Sequence, residues 1–307
     1  MTKLRAGVVG AGAFGRHHAR KYTEDARVTL TGVFDLHDER AQMLADTHGV
    51  QAYTDLDAML REVDIVTIAS PPSQHGGPGR AALQAGKHVL IEKPLATDAA
   101  EGAELVRLAR EKKLTLACGH QERLVFKAMG LFDTPERATF VESVREGPWT
   151  GRSADVSVTL DLIVHDLDLG LQLMGAKPKS LAASGKAERG ASGDEIEALL
   201  VFEGAEARFA SSRIAPERRR FMRVIYPSGE VKVDFLARTF ENTTKFPLNA
   251  AFAETRIGSD PLGANVAHFI DAALGVTPRP NVTGEEALAV LELALEIDRA
   301  CGLPSLS

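Results

Sequence analysis

The sequence predicts an α/β protein in two parts. A parallel sheet flanked by helices occupies residues 1–120, and an α/β domain with a large, open, mainly antiparallel sheet occupies 121–307. Three observations carry this. Short apolar runs alternate with helical patterns as far as Cys118, the rhythm of βαβ units. Beyond residue 120 the pattern changes to strand-like alternation with hairpin turns. Between the first apolar run and the first helix stands the glycine turn Gly10-Ala11-Gly12-Ala13-Phe14-Gly15.

Taken in order, the run through Val8 and Val9 enters that turn, a helix-like segment follows, and a second apolar run, 28–34, ends at Asp35. A helical pattern through Arg40, Met43 and Leu44 stops at Gly49, a residue suited to a left-handed C-cap. Tyr53 begins a connection, and Leu56, Met59 and Leu60 indicate another helix. The continuous apolar run 63–69 reads as a strand buried on both faces, ending at Ser70-Pro71-Pro72. A helix near 80–85 stops at Gly86, and strand 88–91 leads into Glu92-Lys93-Pro94. Thr97 is placed to cap a helix over 97–111, and 114–118 closes the sheet.

In the second part, 137–146 and 155–160 alternate like strands and 162–174 is helical. Hairpins join 198–202 to 207–211 across Glu203-Gly204-Ala205-Glu206, and 222–226 to 230–234 across Pro227-Ser228-Gly229. Residues 261–273 form a helix. Thr283-Gly284-Glu285-Glu286 is a capping box for a last amphipathic helix, 284–300, expected to pack back toward the first domain.

Bulk properties bound the function. With 307 residues, 44% hydrophobic and 25% charged, the chain has an ordinary globular composition. A net charge of −6 offers no basic excess for nucleic acid. No apolar run reaches membrane-span length and the N-terminus enters a strand almost at once, so a cytoplasmic protein is expected. Cys118 and Cys301 lack metal or CxxC spacing and read as reduced thiols; no metal site is expected.

Three glycines at these offsets arise by chance about 0.2 times in such a chain, so it is the strand before, the helix after and the acid 20 residues on that give them weight. Gly10 allows a tight turn, Gly12 lets backbone approach a pyrophosphate, and Gly15 lets helix pack on strand, the signature of a Rossmann dinucleotide site. Ala13 and Phe14 open the helix whose N-terminus favours an anion. Asp35 can accept both ribose hydroxyls and repels a 2′-phosphate, which favours NAD over NADP; Arg40 is the nearby residue that could serve a phosphate instead. Ligands of open parallel sheets lie outside the strands' carboxyl ends, which brings Ser70, Pro71, Gln74, His75, Glu92 and Lys93 to the cofactor. Gln74 and His75 fit a capping role equally well. Lys93, between an apolar strand and a proline, can stabilise negative charge developing on a substrate oxygen. Asp161 and His165 stand four apart in a segment too apolar for a solvated helix pair. His165 suits the proton removal that accompanies hydride loss from a hydroxyl, and Asp161 could orient it or bind a neighbouring hydroxyl.

The glycine turn, Glu92-Lys93-Pro94 and the Asp161/His165 pair together resemble the Gfo/Idh/MocA oxidoreductases, and the likeness extends through AALQAGKHVLIEKPLA and TGEEALAVLELALEIDRACG. The resemblance implies a Rossmann domain joined to an open-sheet domain, NAD(P)-dependent oxidation of sugar hydroxyls, Lys93, Asp161 and His165 as the catalytic set, and a cis Lys93–Pro94 peptide. A narrower resemblance, to UDP-N-acetylglucosamine 3-dehydrogenases, rests on Gly119-His120-Gln121-Glu122-Arg123, Arg145-Glu146-Gly147-Pro148 and DLIVHDLDL. It implies a UDP-linked sugar oxidised at C3 and makes Arg123, Arg145 and His165 candidate substrate contacts. Leu124-Val125-Phe126 stands where that pattern has Phe-Asn-Pro. Arg218-Arg219-Arg220 could meet a diphosphate or be solvated. The open sheet face implies a homo-oligomer. A dehydrogenase of a free sugar or cyclitol, and a non-catalytic NAD-binding sensor, are the competing readings.

Overall fold

The structure, a computed structural model, describes residues 3–151, 153–189 and 192–303. It divides into two compact units, one formed by Met1–His120 with Leu262–Ala289, the other by Gln121–Pro261 with Val290–Ser307. The first unit is therefore built from two separate stretches of chain, a division that differs from a single cut at residue 120.

The first stretch runs β1 (Leu4–Val9), α1 (Ala13–Glu24), β2 (Val28–Phe34), α2 (Asp38–His48), β3 (Gln51–Tyr53), α3 (Leu56–Glu62), β4 (Ile65–Ile68), α4 (Gly76–Gln84), β5 (His88–Ile91), α5 (Ala99–Lys112) and β6 (Leu116–Cys118). The six strands are parallel in the order β3-β2-β1-β4-β5-β6. Strand order reverses at β1, and the crevice at that switch point is where such sheets bind ligands. Both sheet faces are covered: Met59, Leu83, Ile91 and Leu105 belong to one apolar layer, and Tyr22, Leu30 and Leu90 to the other. Three local features differ from the sequence expectation. Residues 51–53 are a strand rather than a connection. Asp98, not Thr97, caps α5, its carboxylate accepting from Ala100 and Glu101 N–H. The helix expected at 80–85 begins at Gly76.

The second unit contains α6 (Glu122–Met129), β7 (Phe140–Glu146), a π turn (Thr159–Ile163), α7 (Val164–Met174), β8 (Ser180–Lys186), β9 (Glu195–Val201), β10 (Glu206–Ser212), β11 (Arg219–Tyr226), β12 (Gly229–Asp234), β13 (Thr239–Asn242) and α8 (Arg256–Ser259). Its seven strands lie in the order β13-β12-β11-β7-β10-β9-β8; only β7 and β10 are parallel. Strict alternation along β7, β9 and β12 buries one face of this sheet. Against that face lies α7, so closely at Gly170 that a methyl there would come within 2.7 Å of the Phe209 ring. The opposite face presents Phe140, Val144, Phe221 and Ile225, half-buried, with Leu199 exposed.

Residues 155–160, expected to be a strand, instead turn through 155–157 and enter the π turn, to which 159 and 160 already belong. The chain then returns through α9 (Pro261–Ala273) to the first unit, where Val266, Phe269 and Ile270 pack with Val8, Val28 and Leu30, and Arg27 pairs with Asp271. Last comes α10 (Gly284–Ala300), opened by the capping box: Thr283 N–H donates to Glu286 and Glu286 N–H to the Thr283 hydroxyl. Its residues to Ala289 belong to the first unit, and those from Val290 to the second.

Candidate active site

In the first unit the turn after β1 is held as its sequence requires. Gly10 adopts φ +95°, and a methyl on Gly15 would stand 1.7 Å from Gly10 O, so strand and helix meet backbone to backbone. A methyl on Gly12 would meet nothing within 4 Å. Gly12 is the N-cap of α1, makes no side-chain cap bond, and is followed by no acid in the first turn, which leaves N–H groups open to an anion. Asp35 accepts from Ala11 N–H at 2.7 Å through one oxygen and from His37 N–H at 2.8 Å through the other. Each oxygen keeps a lone pair for a ribose hydroxyl.

Gly10, Asp35, Ser70, Pro71 and Gln74 line one cleft of about 330 Å³ together with Leu36 and His37, which the sequence does not single out, and with Arg40, weighed as a phosphate contact. Gly12 lines a neighbouring cleft of about 350 Å³ with Arg16, Arg40 and Met43. Ala13 and Phe14 are exposed at the start of α1. An open approach at Gly12, an uncapped helix end and a pre-oriented carboxylate fit a dinucleotide whose ribose carries free hydroxyls.

Two residues expected at the cofactor, His75 and Glu92, are buried. His75 is 1% exposed, with Nδ1 2.7 Å from Pro94 O and Nε2 2.9 Å from Ser70 O. Burial holds its pKa below the ordinary histidine value, against the pull of these carbonyls, so the neutral ring donates to one carbonyl at a time. It ties the loop after β4 to the loop after β5. Glu92 is 6% exposed, and its carboxylate accepts from His18 Nε2 at 2.7 Å. Burial pushes this carboxyl up, but the hydrogen bond and charge of His18, with the Lys93 charge, outweigh it and hold the group below its usual range. Anchoring is what both side chains do. Lys93, next in sequence, is half-buried at the carboxyl end of β5, and its peptide bond to Pro94 is cis.

In the second unit the i,i+4 pair does not lie on one regular helix. Asp161 sits in the π turn, where Val164 N–H reaches back to Thr159 O, and His165 sits in the first turn of α7. Such insertions recur at functional sites because they re-aim side chains. The turn is fixed from far along the chain. Asp298 of α10 accepts from the Ser157 hydroxyl at 2.6 Å and the Thr159 hydroxyl at 2.5 Å, and Asp161 N–H bonds Ser157 O. Burial raises the Asp298 carboxyl above its ordinary pKa, with both hydroxyls opposing. Asp298 escaped the sequence reading because nothing local links it to residue 157.

The two arginines expected to bind substrate are committed internally. Arg145 donates to Asp166 at 2.8 and 2.9 Å and to Glu122 at 2.7 and 3.0 Å, a fork filled on two edges. Arg123 forms a bidentate pair with Asp168. Both guanidiniums are buried; Asp166 and Asp168 lie on α7 beside His165, and Glu122 opens α6. These arginines hold the helix that carries His165 through Asp166 and Asp168. Glu122, which the sequence reading did not single out, reaches the site: its Oε2 is 3.8 Å from His165 Nδ1. Among the described residues no group of three or more His, Cys, Asp or Glu could hold a metal ion.

Comparison with known proteins is consistent with this geometry. The family description "Oxidoreductase family, NAD-binding Rossmann fold" matches residues 4–120, and "GFO/IDH/MocA C-terminal domain" matches 126–232. The chain belongs to the Gfo/Idh/MocA family. It is an NAD-dependent oxidoreductase. Among family relatives, a UDP-N-acetylglucosamine 3-dehydrogenase of Acidithiobacillus ferrooxidans is 38% identical over 78% of this chain and 76% of its own. A solved structure of that organism's UDP-N-acetylglucosamine 3-dehydrogenase GnnA superposes with a TM-score of 0.88 at 36% identity, covering 98% of both chains. The WlbA dehydrogenase of Bordetella pertussis shares the fold, with a TM-score of 0.86 at 22% identity over 98% of this chain and 96% of that one. Among the described residues of this family member no helix is long and apolar enough to cross a membrane.

Proposed function

We propose that this enzyme oxidises the C3 hydroxyl of a UDP-N-acetylhexosamine to a ketone, passing the hydride to NAD. The observation that carries the reading is the likeness to the Acidithiobacillus 3-dehydrogenase at more than one-third identity over nearly the whole chain. NAD, when bound, supplies the hydride acceptor. His165 takes the hydroxyl proton as the C–H bond gives up its hydride, so the alcohol loses two electrons and two hydrogens and ends as a carbonyl. Glu122, 3.8 Å from His165, offsets the positive charge the imidazole gains. Lys93, by its family position, is assigned the stabilisation of alkoxide character as it develops. Asp161, held by the π turn, orients His165 or a neighbouring sugar hydroxyl. Asp35 accepts from the ribose hydroxyls.

The protein acts in the cytoplasm as a homo-oligomer. Supporting the latter is the open sheet face, where the apolar pairs Phe140/Ile225 and Val144/Phe221 flank the ion pair Arg223–Glu142, a mixed surface that a second copy could cover; light scattering of the purified protein tests it. The functional test incubates the enzyme with NAD and a panel of UDP-sugars, free sugars and cyclitols while nicotinamide reduction is followed. Reduction with UDP-N-acetylglucosamine, abolished by Lys93→Ala, is expected. Reduction with a free sugar or cyclitol alone moves the substrate class, and full turnover by Lys93→Ala removes the mechanism.

A further inference from the structure

One arginine of the second unit stands apart from the others. Arg123, Arg145 and Arg213, all buried, carry carboxylates: Asp168, Asp166 with Glu122, and Asp194. Arg219, on the outer face of β11, pairs with Glu146, and Arg223 pairs with Glu142 and Glu230. Among the described residues Arg220 and Arg218 pair with no carboxylate. Arg220 sits opposite Arg145 in the β11–β7 register, so its side chain points to the same, helix-covered face of the sheet. It is half-buried, and its Nε is inaccessible to solvent and without a hydrogen bond. Adjacent Arg218 flanks Gly147 at the end of β7.

The charges near Arg220 are Arg145, Glu122, Arg218 and Asp166. Arg145 already fills both carboxylates of that set bidentately, so Arg220 and Arg218 remain as two neighbouring cations whose N–H groups need oxygen acceptors. Burial and the nearby Arg145 charge push the Arg220 guanidinium below its ordinary pKa, a cost that a bound anion would offset. The adjacent Glu122 also lies 3.8 Å from His165, which puts this unfilled cationic site in the same cluster as the proposed base.

We infer that Arg220, with Arg218 beside it, is the subsite for the diphosphate of the nucleotide sugar. The inference rests on the proposed UDP-sugar substrate and deepens it: it separates Arg220 from the run Arg218-Arg219-Arg220 and removes Arg123 and Arg145 from substrate binding. A half-buried guanidinium whose Nε lacks an acceptor suits contact with phosphate oxygens, and two such groups match the charge of a diphosphate. The sugar that follows the diphosphate is thereby directed toward His165.

The test is calorimetric titration of the full-length enzyme with UDP, using wild type, Arg220→Gln and Arg220→Lys, with NADH titration and thermal melting as controls. Wild type is expected to bind UDP. Arg220→Gln should weaken UDP binding and raise KM for the UDP-sugar by about tenfold to a hundredfold, the loss expected for a charge-assisted contact. Arg220→Lys, which keeps the charge but not the fork, should lose less and serves if the glutamine variant does not fold. NADH affinity and kcat should stay near wild type in both. If wild type binds UDP and the variants bind it equally well while melting earlier or shifting the pH profile of kcat, Arg220 is a counter-charge for Glu122 and Asp166, and the subsite is overturned alone. A wild-type enzyme that binds neither UDP nor a UDP-sugar overturns the substrate reading and the subsite with it.

Discussion

Replacing Arg145 by methionine separates a structural arginine from a substrate-binding one. Met approximates the volume but removes the charge from a site where Asp166 is 1% exposed and Glu122 only partly open. Breaking a buried pair by removing one partner costs about 3–5 kcal/mol, a large share of the roughly 5–15 kcal/mol that holds a domain together. For a unit of this size that corresponds to a fall in Tm of roughly 6–20 °C. The loss should also depend on pH. Burial already raises the Asp166 carboxyl in the intact protein, with Arg145 opposing; without Arg145 it rises further. A carboxyl whose folded pKa exceeds its unfolded value, about 3.9, favours the folded state fully below that value and loses the contribution as pH rises through the folded pKa. Arg145→Met should therefore be more damaging at pH 8 than at pH 5. Adding Asp166→Asn should recover part of the loss at pH 8 and little at pH 5. Urea melts of the three proteins at both pH values measure this. A variant that melts within about 0.5 kcal/mol of wild type yet needs tenfold more UDP-sugar would refute the argument and return Arg145 to substrate binding.

Three further outcomes follow from the geometry. Gly15→Ala forces a methyl to within 1.7 Å of a carbonyl oxygen and should cost at least about 3 kcal/mol with loss of NADH binding, whereas Gly12→Ala, with nothing within 4 Å, should melt like wild type and still bind NADH at least about tenfold more weakly. Thermal melts with and without NADH separate the two. Asp35→Ala should raise KM for NAD by about tenfold or more and improve NADP use relative to NAD, read from paired kinetics. Asp298→Ala leaves the Ser157 and Thr159 hydroxyls without their shared acceptor, at about 1–3 kcal/mol, and should lower kcat more than it changes KM; Asp298→Asn should retain most of both.

What the sequence made legible was local. The glycine turn, the strands of the first sheet, the two hairpins and the capping box are each written in residues that touch one another, so periodicity and turn chemistry suffice. Residues 155–160 misled because Val156, Val158 and Leu160 alternate with polar residues as in a strand, while the polar ones, Ser157 and Thr159, are held by Asp298 some 140 positions away. The helix of residues 122–129 was missed because Arg123 interrupts its apolar face, and only the structure supplies Asp168 to neutralise it. Both arginines assigned to substrate were visible as charges; their counter-ions were visible too, as the acids flanking His165, but sequence distance hid the pairing. The burial of His75 and Glu92 was not legible, since proximity to a strand end does not say which side chains turn inward.

The return of α9 to the first unit bears on the order in which the chain acquires its fold. Val266, Phe269 and Ile270 complete an apolar layer begun by Val8, Val28 and Leu30, and Asp271 supplies a partner for Arg27. A ribosome must therefore synthesise the seven-stranded sheet before the nucleotide unit can close its own core. A nascent chain stalled near residue 120 leaves that apolar layer exposed to chaperones, and a fragment ending there should be aggregation-prone. A circular permutant that begins at residue 262, so that 262–307 precede the first sheet, would place both stretches of this unit ahead of the seven-stranded sheet and let it form first.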